Sequence, residues 1–594
     1  MRYAPLHNHT IYSIKDAIAR PEEYVNYIYD YNASQNNHEI VGLAITEHSN
    51  LFSMVSHHLA CVTSIKGGPH KGKTLHPIYG NEIYHIDSYK NKEKLKNDER
   101  YHLVSLAKNQ KGLENLFAIT TEAGVNKIKG KTKDFQLVEE KFLDTHGEGI
   151  ICLSACLGGK IARLIIDGKY DDAKSLALHF DSIFDEFYLE IQPHDMIPDQ
   201  VLVNNALLQM HKETGIPLVI TSDSHYVRKQ DKEYHDLLKE IDHMQGFVTD
   251  SHMWTPDELI DWCNANGVPL EAIENTAKIA DSCVADITPT DEKGLMPSFP
   301  CPPGYDEDSY LIKLTKDGLL KRFLVNKKIK NIRPYITRMN YELSIITQMG
   351  FSGYFLILWD WFKWCKQNDV LLGPGRGSAA GSVVAYFLDI TKIDPIENGL
   401  MFERFLNPER KDEPDIDTDI SKLDRPKAIA YLQSRYGSDY VCQIATFGQY
   451  KLKNTIKAVL SADKGYTAEF QNSITKQIPD LLSGNAVTYD FLKDVVKYPE
   501  KHDDLKESEI AQCNKVYDML QDLFAQHPDV EKAVKKICGA ISSIGAHAGG
   551  VVISSKPLSK HIPLMKGGAA AVLNVSQFNM DGIHYFHGLN LGHS

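Results

Sequence analysis

The chain has 594 residues, room for roughly four domains at about 150 residues each. With 43% hydrophobic and 24% charged residues it has a globular composition, which excludes a disordered or fibrous chain. Its 65 Lys and Arg against 78 Asp and Glu leave a net charge of −13, which excludes non-specific coating of nucleic acid but not a local basic groove. The ten cysteines are scattered without a CxxC pair, as in a reducing cytosol. MRYAPLHNHT lacks the layout of a signal peptide, and no apolar run reaches the ~18 residues of a membrane span. The expectation is a soluble, cytoplasmic protein with no membrane segment.

Residues 1–285 alternate short apolar runs (40–46, 76–86, 149–155, 187–192, 216–223) with helical stretches, the pattern of a parallel α/β layer or barrel. Several runs end in ligand-type residues, where (β/α) barrels build their sites. His7 and His9 stand at i, i+2, so an extended strand points both imidazoles to one face. A lone HxH is usually surface polarity. Here it is joined by Asp16, His48, Glu82, His102, Cys156, Asp223 and His225, a mixed set that suits Zn²⁺, Mn²⁺ or Fe²⁺ better than Ca²⁺. Clustered metals of this kind activate water and clamp a phosphoryl oxygen.

LHNHTIYSIKDA, LAITEHSNL, YGNEIYH, RYHLVSLAKN, LSACLGG and TSDSHYVR resemble the successive motifs of the polymerase-and-histidinol-phosphatase (PHP) family. The resemblance covers residues 1 to about 285 and implies a distorted seven-stranded (β/α) barrel with up to three metals, Zn²⁺ or Mn²⁺. The ligands it implies are His7, His9, Asp16, His48, Glu82, His102, Cys156, Asp223 and His225. Glu47 stands where the family usually has Asp.

A Pro-rich linker follows at 296–308, and residues 313–338 then carry nine Lys and Arg against the single acid Asp317. Residues 340–420 read as a second α/β block. Within it, LLGPGRGSAAGS (371–382) supplies backbone N–H groups for an anion, and Arg376 adds a fork of donors. A dinucleotide fingerprint is the rival reading, from Gly375, Gly377 and Ala380; the absence of GK[ST] excludes a P-loop. PDIDTD (414–419) sets Asp415, Asp417 and Asp419 at alternate positions, so on a strand they share one face. Such repulsion calls for cations, and paired carboxylates holding Mg²⁺ are the arrangement of phosphoryl transfer. Residues 426–535 read as mostly helical and polar with few β runs, and GAISSIGAHAGGVVIS (539–554) as a return to the α/β block.

YELSIITQMGFSGYFLILWDWFKWCK, the glycine-loop block through NPER, EPDIDTDI, QIATFGQYKLKNTIKAV and GAHAGGVVIS closely resemble the catalytic core of the bacterial replicative (C-family) DNA polymerases, the polymerase III alpha subunits. The resemblance runs from about 290 to 585. It implies an α/β multidomain chain: PHP barrel 1–285, palm 286–425, helical thumb 426–535 and second palm piece 536–594. Asp415 and Asp417 would be palm carboxylates on Mg²⁺, with Asp419 the lesser participant. Gly375, Arg376, Gly377 and Ser378 would cradle a deoxynucleoside triphosphate, Lys453 and Lys457 would meet phosphates, and His547, on a glycine turn, would approach the nucleotide. The basic run 313–338 would contact the backbone of primer–template DNA.

The family's third palm aspartate would fall near 590–592, where this chain has Asn590, Leu591 and Gly592. Three expectations follow. The chain is the N-terminal part of a DNA polymerase completed by a C-terminal polymerase fragment alongside other replisome proteins; or its polymerase half is idle and the PHP domain works as a metal-dependent phosphoesterase or 3′→5′ exonuclease; or it is a non-catalytic DNA- or replisome-binding fragment.

Overall fold

The computed structural model describes residues 1–594 apart from 35–36, 64–71, 90–99, 130–133, 243, 245, 247, 289–297, 326–330, 410–413, 415, 463–465, 503, 569–570, 586–588 and 593–594. The chain divides into two compact units, Met1–Ile287 with Phe447–Ile544, and Thr288–Thr446 with Gly545–Ser594. No helix among the described residues is long and apolar enough to cross a membrane.

The first unit is built on a seven-stranded sheet. Its order is Leu218–Ile220, Glu186–Ile191, Ile150–Leu153, Tyr101–Ala107, His76–Ile86 and Gly42–Ile45, with Val138–Glu139 also on His76–Ile86. All neighbours run parallel except Tyr101–Ala107, which is antiparallel to both of its partners. It pairs with the strand before it in the chain, Glu82 standing opposite Val104. Residues 5–9 join the two ends of the sheet. Ala44 N donates to Pro5 O (3.0 Å) and Thr46 N to Asn8 O (2.8 Å) on one side, while His9 N donates to Ser224 O (2.7 Å) on the other. The HxH segment is therefore the closing stave of the barrel.

Strand alternation sorts the two faces. Leu43, Ile45, Ile83, Leu103, Phe187 and Leu189 pack outward against the helices. Ala44, Ile78, Val104, Ile151, Leu153 and Val219 form the inner cluster. Glu82 follows Ile78 and Gly80 at alternate positions on His76–Ile86, opposite in parity to the outward-facing Ile83. The helices carry their own start and stop signals. Pro256–Asn266, for example, begins with the Thr255–Glu258 capping box and ends at left-handed Gly267 (φ 66°).

Phe447–Ile544 adds helices Leu452–Ala462, Ala468–Thr475, Tyr489–Lys497, Glu507–Gln526 and Pro528–Ile537 to this unit. Leu452, Ile456 and Val534 share a core with Ile18, Tyr234 and Leu238 of the barrel part. Arg20 Nη2 donates to Cys538 O at 2.7 Å, and Lys536 reaches Glu23 and Asp231, each at 3.0 Å.

The second unit packs helices Glu307–Leu320, Arg333–Gln348, Ser352–Gln367 and Arg425–Tyr436 around Phe355, Trp361, Ile346 and Leu432. Its sheet has the order Leu564–Met565, Val575–Ser576, Val441–Gln449, Ile541–Ile553 and Leu589–Gly592. Val441–Gln449 is a nine-residue strand inside the stretch read as mostly helical; its first five residues are all buried, as a central strand requires. One sequence expectation is corrected here. GAHAGG lies within the strand Ile541–Ile553 rather than on a turn. Its glycines fit close packing: a Cβ at Gly550 would come within 2.9 Å of Ile444.

Candidate metal centre and glycine loop

All nine ligand-type residues anticipated in the first unit converge. Three groups offer ligand atoms within 4.8 Å of one another: His9, His48 and His225; His7, His9 and Glu82; Glu82, His102 and Cys156. Asp16 Oδ2 lies 2.6 Å from His48 Nε2, and Asp223 Oδ1 lies 3.4 Å from His7 Nε2 and 3.3 Å from His9 Nε2. Glu82 bridges the set, accepting from His102 Nδ1 at 2.7 Å and from His48 Nδ1.

The supporting hydrogen bonds fix which lone pairs face inward. His7 Nδ1 donates to Glu190 Oε1 at 2.7 Å, so its Nε2 is turned to the cluster. Ser13 Oγ gives its only proton to Glu47 Oε2 (2.5 Å). It therefore accepts from His9 Nδ1 (2.9 Å), which leaves His9 Nε2 bare as well. His7 Nε2, His9 Nε2 and Asp223 Oδ1 are buried and make no hydrogen bond among the described residues. Three buried polar atoms aimed at one another cost several kcal/mol unless something binds them. A cation fits this donor set.

The electrostatics agree. Burial opposes charge on His7, but Asp223 and Glu190 outweigh it and hold its pKa well above the ordinary range. Burial, with His48 and His225, holds His9 well below it. Burial also works to raise Glu82 and Asp223, yet the surrounding imidazoles push both below the usual carboxylate range. Burial, Glu82 and Asp223 push the Cys156 thiol up. A cavity that keeps its carboxylates ionised and strips the proton from His9 is poised for a metal ion.

Sequence reasoning missed several supports. Glu190 stands as an acid inside the apolar run FYLEIQ, which is a readable signal. Buried Lys239 contacts Asp16 and is lowered to about 8 by its burial. Glu47 orients His9 through Ser13.

In the second unit, the glycine loop and the acidic segment lie side by side. Gly373 N donates to Asp419 O at 2.8 Å, and Leu372 bridges Ile420. Arg376 Nη2 is 3.5 Å from Asp417 Oδ1, and its Nε is 3.5 Å from Asp419 Oδ1. Residues 416–420 alternate, with Ile416, Thr418 and Ile420 buried and both aspartates turned outward; only isolated bridges, not a continuous strand, are formed there. Asp415 lies outside the described residues. Gly375 (φ 93°) and Gly377 (φ 66°) are left-handed, and a Cβ at Gly375 would press on Thr391 at 2.8 Å, so glycine is required at 375. Arg376, Gly377 and Ser378 are exposed.

The loop is anchored by a buried acid that the sequence reading overlooked. Glu342 accepts from Ser382 Oγ (2.8 Å), Val383 N (3.0 Å), Val384 N (3.1 Å) and Arg338 Nε (2.8 Å). It holds the start of the helix Val383–Phe387 that the loop feeds. Its signal was an acid on the apolar stripe Met339, Leu343, Ile346. His547 is half-buried, with its Nδ1 accepting from Gly549 N at 3.2 Å. Burial and nearby Arg425 lower its pKa. Lys453 and Lys457 belong to the first unit, on helix Leu452–Ala462, where Lys453 pairs with Asp480 at 3.2 Å. In the basic run, 327, 328 and 330 lie outside the described residues.

Known proteins share both halves. Residues 5–194 match the family model of the PHP domain, and residues 309–591 that of the bacterial DNA polymerase III alpha NTPase domain. The DNA polymerase III subunit alpha of Borreliella burgdorferi is 34% identical over 98% of this chain and 47% of its own length. Those of Bacillus subtilis (33%, 98% of this chain, 47% of its own length) and Aquifex aeolicus (32%, 95% and 48%) are similar. The chain spans about half the length of the curated relatives it matches. It belongs to the family of bacterial DNA polymerase III alpha subunits.

Proposed function

We propose that this chain is the N-terminal part of a DNA-directed DNA polymerase, which transfers nucleotides from deoxynucleoside triphosphates to a primer 3′-hydroxyl on template DNA in the bacterial cytoplasm. In this reading residues 1–285 are the PHP domain, 286–425 and 536–594 the palm, and 426–535 the thumb. The observation that carries it is the seating of Asp417 and Asp419 on Arg376 within the glycine loop. The residues divide the work. Asp415 and Asp417 are the positions to hold Mg²⁺, whose charge, when bound, offsets that of the attacking and leaving oxygens. Gly375, Arg376, Gly377 and Ser378 present backbone N–H groups and a guanidinium to the triphosphate. Lys453, Lys457 and His547 meet phosphate and nucleotide. Arg376 holds the two aspartates until a polyphosphate competes for it. Primer extension by the polymerase containing this chain should fall at least about 100-fold in Asp417→Asn, with DNA affinity unchanged. Extension at the normal rate would remove Asp417 from the chemistry.

A second reading concerns the histidine site, because three buried, unpartnered ligand atoms converge there. We infer a PHP phosphoesterase acting as a 3′→5′ exonuclease, with Zn²⁺ or Mn²⁺ held by His7, His9, Asp16, His48, Glu82, His102, Cys156, Asp223 and His225. The chain should shorten a 5′-labelled single strand, and EDTA or His9→Ala should stop it. Hydrolysis indifferent to both would reject the assignment.

A further inference from the structure

Away from the glycine loop's exposed face, the second unit contains a cavity of about 570 Å³ whose lining is strongly cationic. Among the described residues, Lys321, Arg322, Lys363, Lys366 and Lys392 face it, against Asp317 and Asp389. The carboxylates are already engaged. Asp389 takes Lys366 at 2.5 Å and Arg322 at 3.2 Å, and Asp317 takes Lys313 at 2.5 Å. Lys321, Lys363 and Lys392 have no carboxylate within ion-pair distance among the described residues. On an acidic chain, three surplus cations around one concavity repel each other, and an anion would relieve that cost.

Two backbone features build this arrangement. Helix Glu307–Leu320 passes into a turn of π-helix, Lys321–Val325, which swings Lys321 and Arg322 to the cavity. Arg322 is buried, stacks 3.6 Å over the Tyr386 ring and donates to Tyr386 O at 2.6 Å, so its position is fixed. Opposite, Asp389 adopts a left-handed conformation (φ 61°) unusual for a residue with a side chain, which closes the turn carrying Lys392. Lys392 N in turn donates to Pro374 O of the glycine loop at 2.8 Å, and Thr391 packs behind Gly375.

The volume suits a small molecule, within the ~300–1,000 Å³ usual for ligand pockets. An extended nucleic acid needs a track of cations, whereas these converge. We propose that this cavity binds a polyphosphate group, free or carried by a nucleoside, at a site separate from the glycine loop and coupled to it through residues 389–392. Phosphate oxygens would meet Lys321, Lys363 and Lys392, with Arg322 as the fixed donor at the rim.

The test is calorimetric titration of the chain with tripolyphosphate and, separately, dATP, without added magnesium, in an Arg376→Ala background that removes the glycine loop's own donor. Binding should persist there and weaken at least ten-fold in Lys363→Gln/Lys392→Gln, two exposed substitutions whose folding is checked by thermal melting. Equal affinity for both probes would assign the site to the polyphosphate alone; tighter dATP binding would assign it to a nucleotide. Affinity unchanged by the double substitution, no binding of either probe, or displacement by a twelve-nucleotide single strand at lower concentration than dATP would overturn the proposal.

Discussion

The histidine site and the glycine loop, both proposed above to serve phosphate chemistry, are built in opposite ways. In the first, all nine ligand-type side chains are already gathered, His7, His9, Glu82 and His225 buried and the other five half-buried, and Glu190 and Ser13 orient His7 and His9. In the second, Arg376, Asp417 and Asp419 are 46%, 38% and 51% exposed, and Arg376 approaches each aspartate at 3.5 Å. The difference follows from what each must exclude. A buried cluster of anions and imidazoles is tolerable only around a cation, so its geometry is fixed during folding. An exposed pair beside glycines can wait for its ligand, because water stabilises it meanwhile and the backbone N–H groups cost nothing to leave solvated. The first site specifies its ligand in advance, whereas the second acquires it.

Asp223→Ala is the sharpest way to break that contrast. Removing the carboxylate between His7 and His9 should lower metal affinity at the histidine site by at least about 100-fold. The metal content of the purified chain should fall accordingly, while Asp417→Asn should leave that content unchanged. Equal metal loss in both variants would mean that the two sites are not built differently. A smaller effect is expected at Glu342, where each carboxylate oxygen takes two donors. Glu342→Gln turns one oxygen into an NH₂ facing two N–H or O–H donors, and should cost about 2 kcal/mol of stability in denaturant unfolding. Glu342→Ala should cost about 3 kcal/mol, because all four donors lose their acceptor. Values near zero for both would show that the loop needs no anchor.

The legibility of these regions in the sequence tracks the same contrast. The nine metal-type side chains were readable one by one through the HxH pair, the ligand-type residues closing several apolar runs, and the motifs that resemble the PHP family. The pairing that brings them together was not: no local pattern shows that residues 5–9 hydrogen-bond to 44–46 and to 224, since barrel closure is a long-range property. The strand Val441–Gln449 was hidden for a related reason. Its interior Gln443 and its Gly448 blur the apolar run, although Gln443 is satisfied by accepting from Val572 and Leu573 N–H groups. Glu342 and Glu190 were visible only as exceptions, acids on apolar stripes, and exceptions gain meaning once their donors are seen. The glycine loop was read easily, since left-handed turns leave a direct mark in composition.

The smallest effect expected concerns a charge cluster beside the histidine site that is structural rather than ligating. Glu140 accepts from Lys160 Nζ at 2.7 and 2.8 Å and lies 3.0 Å from His85 Nδ1. Burial works to raise its pKa, but His85 and Lys160 prevail and hold it near 2. Because the folded value lies below the unfolded carboxylate range of about 4.5, the group binds protons more readily when unfolded. Its contribution, on the order of 1 kcal/mol, is therefore present above pH ~4.5 and is lost as pH falls through about 2. Glu140→Gln should flatten the stability profile over that window and leave metal content at neutral pH intact. Should it instead strip the metal, Glu140 would belong with the histidine site, which would then extend further than the nine residues gathered there. A flattened profile with full metal content would confine the preset geometry to those nine and their immediate hydrogen-bond partners.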